Sequence, residues 1–406
     1  MSEPTAVGAT AMLGFDPYDP AFLADPYAHY RRLSGSEPAT RSDAGLLVIT
    51  SHGYCSDVLR DRRFGRGGDA ALMQDEDTVV NRSRRSFLAM DPPDHTRLRG
   101  LVSKAFTPRM IERLRPRVAE LVEELLDDAL ARGEVDLVTA LAYPLPVTMI
   151  SELMGVPPGD WERFRGWVDD LAGGLDPDFL LPPEKIRKRE RARLEFCEYL
   201  LDLFARRRAN PGNDLISALL AVEESGDVLS EDELLSTCIL LIIAGHETTV
   251  SLIGNGVLAL LRDPGELAKL RAGSVKVSGA LDELLRYDAP VQSTVRVALE
   301  SAEIHEIPVK QGELVMLMLG AANRDPEAFP EPDRLDLRRD SQGHLAFGLG
   351  IHFCLGAPLA RIEAETALTR LVERAPELTL AAAPDDLRYK DRFVLRGLAE
   401  LPVRLR

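Results

Sequence analysis

Two kinds of residue are scarce in this 406-residue chain, and each scarcity excludes something. Cationic side chains are outnumbered: 49 Lys and Arg stand against 65 Asp and Glu, a formal charge of −16 that argues against nucleic acid as a partner. Cysteine is rarer still. Cys55, Cys197, Cys238 and Cys354 lie far apart with no C-x-x-C pair, which suits a reducing compartment and disfavours a structural zinc site. Long apolar runs are missing too. The longest, Cys238–Gly245, falls well short of the roughly 20 residues that span a bilayer. The opening MSEPTAVGATAMLGFDPYDP has no basic start and no long apolar core. That predicts no signal peptide, no membrane embedding and a cytoplasmic location. No G-x-G-x-x-G follows a strand, so there is no flavin or nicotinamide fingerprint and no fused reductase. Linkers, low-complexity tracts and repeats are also lacking. The remaining composition, 45% hydrophobic and 28% charged, is that of a soluble protein with a large core. We expect one domain over residues 1–406, with 1–15 a flexible N-terminal tail.

What is present begins with one cysteine. Residues 344–361 read HLAFGLGIHFCLGAPLAR and set Cys354 among Gly348, Gly350 and Gly356. Gly348 and Gly350 permit tight or left-handed turns and the close approach of a flat ligand. After Cys354 apolar residues recur at helical spacing, so a helix begins near Leu355, with Pro358 tolerated in its first turn. The sulfur therefore lies near a helix N-terminus, where amide N–H groups and the helix dipole favour a thiolate. Such a thiolate is either a nucleophile or a metal ligand, and local chemistry leaves both open.

Helical patterns cover 26–33, 51–61, 95–105, 109–132, 160–172, 187–208, 231–262 and 275–287. Strands are expected at 45–50, 294–298, 303–309 and 313–318, with a hairpin in the tail 389–405. Residues 66–90 are irregular, and AGGLDPDFLLPPEK reads equally as a mobile lid or a plain surface loop. The balance is mainly α with small β-sheets. The 231–262 helix is apolar on nearly all sides and should run through the core, yet it carries A-G-H-E-T-T at its middle. Burying a carboxylate costs several kcal/mol unless it is paired, hydrated or protonated. Glu247 and Thr248 thus mark a polar break, an acid beside a hydroxyl suited to proton delivery. Ala244 and Gly245 leave room for a ligand there, and the Thr248 hydroxyl can take the Ala244 carbonyl.

Three further stretches join these two: D-H-T-R-L-R with His95 and Arg99, E-L-L-R with Glu283 and Arg286, and T-V-R-V-A with Arg296. In order and spacing the set resembles a soluble bacterial cytochrome P450, from about Asp16 to the C-terminus. The resemblance implies a single-domain cytochrome P450 fold with haem b between the long central helix and the helix after the cysteine. F-G-L-G-I-H-F-C-L-G is similar to the family's haem-binding loop. Cys354 would then be the axial iron ligand, with Phe347, Gly348, Gly356 and Ala244 against the ring. His95, Arg99, Arg296 and His352 match the positions that hold the haem carboxylates, where charge-assisted bonds explain the cations. Glu247 and Thr248 match the acid and alcohol that deliver protons, and His246 is assigned no role. Glu283, Arg286 and, in P-D-R-L, Arg334 would form a buried structural network, although Leu335 stands where the family usually has an aromatic.

The implied activity is a haem-thiolate monooxygenase that inserts one oxygen atom from O2 into a small molecule by hydroxylation or epoxidation. Electrons would come from NAD(P)H through an acidic ferredoxin and its reductase, steered by Arg97, Lys104 and Arg109 near the cysteine side. Met73, Phe87, Leu88, Ile243, Ala244, Val291, Val295, Phe393 and Val394 are candidate substrate contacts. Their aliphatic character implies an apolar or moderately polar substrate, such as a secondary metabolite, bound by a monomer. A peroxide-driven relative, a haem sensor without turnover and a cysteine hydrolase with His352 as its base are the alternatives. The intact Glu247–Thr248 pair argues against the first two.

Overall fold

In the computed structural model the described residues are 10, 12–35, 37–67, 79–224, 226–383 and 386–406. Most of them are helical. Nine of the helices frame the core and the site: α1 (Pro26–Ser34), α2 (Asp94–Ala105), α3 (Arg115–Arg132), α4 (Pro144–Leu153), α5 (Trp161–Ala172), α6 (Pro183–Ala209), α7 (Glu231–Arg262), α8 (Val277–Tyr287) and α9 (Ala357–Arg374). The 109–132 pattern divides, because a short helix Pro108–Glu112 precedes α3 and Pro116 sits in the first turn of α3. Helix α4 escapes periodicity because eight of its ten residues are buried, which leaves no polar face to read.

Helix α7 starts with a capping box. The Ser230 hydroxyl accepts from the Glu233 amide at 3.2 Å, and the Glu233 carboxylate accepts from the Ser230 amide at 2.9 Å. The helix then packs on α4, α5, α8 and α9, inside the largest hydrophobic cluster. Each fully buried Leu, Ile or Val there contributes about 1.5–3 kcal/mol of transfer free energy. By length and hydropathy α7 would pass for a membrane span, but 78% of its apolar window is buried inside the protein, as befits a core helix.

A five-stranded sheet lies to one side. Its strands are β1 (Ala39–Arg41), β2 (Leu47–Ile49), β3 (Phe64–Gly65), β4 (Thr294–Ala298) and β5 (Leu314–Leu317), in the order β1-β2-β5-β4-β3. The β2–β5 pair is parallel and the others are antiparallel. Arg296 stands opposite Val315 at the middle of β4. The expected 303–309 strand is instead a hairpin of 302–304 and 307–309, turned by His305 and Glu306 at positive φ. The tail forms a hairpin closed at Tyr389–Leu398. Of the expected flexible tail, residues 1–9 and 11 lie outside the described residues, whereas Leu13 and Phe15 are buried against the N-terminal helices and Phe393.

Candidate active site

The Cys354 turn is built by glycine. Gly348 and Gly350 take φ of +68° and +70°, and a Cβ on Gly350 would sit 2.4 Å from the Leu59 carbonyl oxygen. The Cys354 amide donates to the Phe347 carbonyl at 2.9 Å, which folds the loop back before α9 begins. The sulfur receives the backbone amides of Gly356 and Ala357. Burial nevertheless pushes the thiol above its ordinary value, and those amides and Arg99 only partly offset it. The amides at the helix end thus favour the thiolate, as expected, and a coordinated cation would complete the ionisation against the cost of burial.

Four of the expected carboxylate-binding residues gather beside this turn, though not equally. Arg296 is 3% exposed, and its guanidinium donates only to local oxygens, the Thr294 hydroxyl and the Val295 carbonyl. The His95 and His352 rings lie 4.3 Å apart, and all four ring nitrogens are buried without a hydrogen-bond partner among the described residues. Burial, then Arg66, lowers Arg296 to about 9, and burial with Arg66 and Arg296 lowers His352 to about 2. Asp91, whose charge acts on Arg296, already accepts the Arg66 and Gly67 amides. Arg99 instead donates to the Phe353 carbonyl at 2.5 Å. Uncompensated buried cations are costly, so this cluster fits a group with two carboxylates, as haem has. Arg66 is a member that sequence reasoning missed; its place opposite β4, before the G-G pair, gave no signal.

On α7 the polar break is arranged as an acid and an alcohol on different faces. The Thr248 hydroxyl donates to the Ala244 carbonyl at 2.7 Å, as expected. Ala244 itself is exposed although Ile242, Ile243, His246 and Glu247 around it are buried, so α7 borders open space at that point. Glu247 is 2% exposed and accepts from Lys390 Nζ at 2.6 Å. Arg392 Nη1 stands 3.0 Å from the same oxygen without a hydrogen-bond alignment, so it acts as a charge and not as a donor. Burial would raise this carboxyl, but Arg392 and Lys390 reverse the effect and leave it below its usual range. Neither cation was singled out from the sequence, since the tail reads only as a hairpin.

The Glu283–Arg286 pair is completely buried, with bonds of 2.7 and 2.8 Å. The expected third member, Arg334, does not join it. Its guanidinium is 56% exposed and pairs with Asp336 and Glu331, while only its carbonyl faces Arg286. Arg339 and Ser341 take the place, contacting Glu283 at 3.2 and 2.5 Å. Arg97 likewise is engaged by Asp227 and Glu233. Arg109 and Lys104 are exposed, as are two apolar side chains of the cysteine turn, Ile351 and Phe353, at 38% and 44%.

Among the candidate substrate contacts, Met73 lies outside the described residues. Phe87 is buried edge-on to His95 and under Arg99. Phe393 is 2% exposed and packs against Phe15 in the cluster beneath the N-terminal helices. Ile243 is buried, and Leu88, Val291, Val295 and Val394 are half-buried.

With this geometry in view, the chain matches the family model described as Cytochrome P450 over residues 44–375. It is 45% identical over 405 residues to the 6-deoxyerythronolide B hydroxylase of Saccharopolyspora erythraea, covering 95% of this chain and 97% of that protein. It is 42% identical over 395 residues to the monooxygenase PikC of Streptomyces venezuelae, covering 95% and 92%. Among solved structures, PksS of the bacillaene polyketide synthase of Bacillus subtilis superposes with a TM-score of 0.88 at 39% identity, over 96% of this chain and 99% of that one.

Proposed function

The chain belongs to the cytochrome P450 family, and from that premise we propose how its own residues divide the work. It is a haem-thiolate monooxygenase of secondary metabolism that binds haem b. The bound haem supplies activation of O2, so that one oxygen atom enters the substrate. Cys354 holds the iron, and the glycine turn with the Gly356 and Ala357 amides sets the position and basicity of its sulfur. Arg296, His95, His352, Arg99 and Arg66 receive the haem carboxylates. Phe347, Gly348, Gly356 and Ala244 border the ring. Glu247 and Thr248 bring protons to the reaction side of α7, and Glu283 with Arg286 keeps the segment before the Cys354 turn in place.

The substrate in this reading is an apolar or moderately polar polyketide. Leu88, Ile243, Val291, Val295 and Val394 offer an aliphatic lining, and one relative, PksS of Bacillus subtilis, is named for polyketide biosynthesis. Electrons arrive from NAD(P)H through a reductase and an acidic ferredoxin, which docks over exposed Phe353 and Ile351 with Arg109 and Lys104 at the rim. The enzyme acts in the cytoplasm as a monomer.

One observation carries the site assignment: a cluster of cationic and imidazole groups whose buried ring nitrogens have no hydrogen-bond partner among the described residues, beside a cysteine turn that only glycine can make. The test is spectroscopic. Purified protein should be red, and its reduced carbon monoxide complex should show the far-shifted Soret band of thiolate ligation. Cys354→Ala should abolish that band. A panel of polyketides, screened for the spin-state shift on binding, should outrank steroids and fatty acids. An unchanged band in the alanine variant overturns the ligand, and a panel without response overturns the substrate class.

A further inference from the structure

Three arginines meet on the N-terminal half of α6, between two irregular segments. Arg84 follows the short helix Val79–Arg82, which packs against both α6 and α7. Arg189 and Arg193 lie one turn apart on α6. Asp178, in the α5–α6 connection, approaches from the third side. Two carboxylates serve these three cations. Arg189 donates to Asp178 at 2.7 Å and to Glu190 Oε1 at 3.2 Å, and Arg84 donates to that same oxygen of Glu190. Arg193 is left over. Among the described residues it has no ion pair, and its acceptor is the buried Ser83 hydroxyl at 3.4 Å. That hydroxyl already donates to the Val80 carbonyl at 2.6 Å, so it offers Arg193 a dipole and not a charge. Arg193 Nε is buried with no partner. Burial, then the charge of Arg84, lowers this guanidinium to about 10, and Glu190 offsets only part of that.

The surroundings of this corner define what would satisfy it. Beside Arg193 on α6, Phe196 and Cys197 are buried in the same hydrophobic cluster as Ile242 and Ile243 of α7. On the other side the chain runs from Ser83 to buried Phe87 and half-buried Leu88. An apolar interior bordered by one surplus cation suits a molecule that is apolar along its body and anionic at one end. A guanidinium matches a carboxylate in shape as well as charge, through paired N–H donors. We propose that Arg193 is a specificity-determining residue that receives a carboxylate at the end of the substrate, with Arg84 as the second cation beside it. The inference rests on the reading of the substrate as an apolar or moderately polar polyketide, and it narrows that class to polyketide acids. A neutral chain of the same length leaves Arg193 without its anion. Glu190, shared by the other two arginines, is the internal anion against which an incoming carboxylate competes.

The test titrates the haem-loaded enzyme with carboxylic acids and their methyl esters, mycophenolic acid as the polyketide probe and dodecanoic acid as the fatty-acid probe. Binding is read by calorimetry and by the haem spin-state shift. The parent should bind each acid about 10–100-fold more tightly than its ester, the range of one charge-assisted contact. Arg193→Gln should bring that ratio close to unity, and Arg193→Lys should keep part of it. Glu190→Gln should raise the ratio, because the competing anion is gone. These opposite signs keep the test decisive where one variant fails to fold. A parent that binds acid and ester alike overturns the inference, as does an Arg193→Gln variant that keeps the full preference. Mycophenolic acid and its ester bound without distinction would remove Arg193 from its role and keep the polyketide reading. A preference for the acid confined to dodecanoic acid would keep Arg193 and remove that reading instead. Probes that bind in neither form overturn both.

Discussion

Two clusters of buried charge in this molecule are wired in opposite ways. Around Glu283 every acceptor is used. Arg286, Arg339, Ser341 and the Asp336 amide converge on the carboxylate, and Arg286 directs its remaining donors to the carbonyls of Asn323, Pro332 and Arg334. Around Arg296 the cations repel one another, and four imidazole nitrogens bond to none of the described residues. A satisfied cluster fixes the fold, because each charge already has its answer inside the chain. An unsatisfied one is a standing cost that a ligand of opposite charge removes. Glu247 falls between them, answered by two cations that belong to a surface hairpin.

The sharpest way to break the contrast is to break the satisfied cluster. Arg286→Ala should cost about 3–5 kcal/mol, because it strands a buried carboxylate and three carbonyls. Thermal unfolding of the haem-loaded enzyme measures it, and a loss below about 1 kcal/mol would mean the cluster is not structural.

A buried acid with no cation sharpens the comparison next. Glu363 on α9 is 2% exposed, and a Thr249 hydroxyl is its main polar contact. Burial pushes it from 4.5 up to about 8, and the hydroxyl only partly offsets that. The folded chain thus keeps a proton that the unfolded chain releases. Stability from this group is full below about pH 4.5 and is lost as pH rises towards 8. The loss runs at about 1.4 kcal/mol per pH unit. Glu363→Gln cannot titrate, so its advantage over the parent should grow by about 2–3 kcal/mol between pH 6 and pH 8 in denaturant melts. Parallel pH curves would show the acid to be ionised and paired.

Removing a cation from the unsatisfied cluster should have two signs. Arg296→Met should leave the haem-free chain as stable as the parent or more so, since a buried cation that Asp91 offsets only in part disappears. The same change should speed haem transfer to apomyoglobin by about tenfold, the worth of one charge-assisted bond of ~1.5 kcal/mol. Destabilised haem-free protein with unaltered haem retention would place Arg296 among the structural charges.

Which of these features the sequence disclosed depends on how each is encoded. The Cys354 turn was legible because three glycines and a cysteine in ten residues admit few explanations. The core path of α7 was legible from an apolar surface on all sides, and so was the exceptional acid within it. What stayed hidden is pairing across long separations. Lys390 and Arg392 are ordinary charged residues in a chain rich in them, and nothing local says that they face a residue far back in the chain, 143 positions from Lys390. Arg66 is hidden for the same reason. At Cys354 the sequence shows the helix end whose amides favour the thiolate but not the burial that opposes it.

The smallest effect separates a motif from its geometry. P-D-R-L aligned Arg334 with the Glu283 network, yet the turn at Glu331, held at φ 48°, presents the Arg334 carbonyl inwards and its guanidinium to solvent. Arg339, five residues on and 11% exposed, reaches Glu283 instead and caps the Pro330, Glu331 and Arg334 carbonyls. Arg339→Ala should therefore cost about 1–2 kcal/mol, whereas Arg334→Ala should stay within ~0.5 kcal/mol, as an exposed ion pair does. Parallel melts of the two variants read this directly. Equal losses would mean that the exposed guanidinium folds inwards in solution and that the motif, not the backbone turn, decides which arginine guards the buried pair.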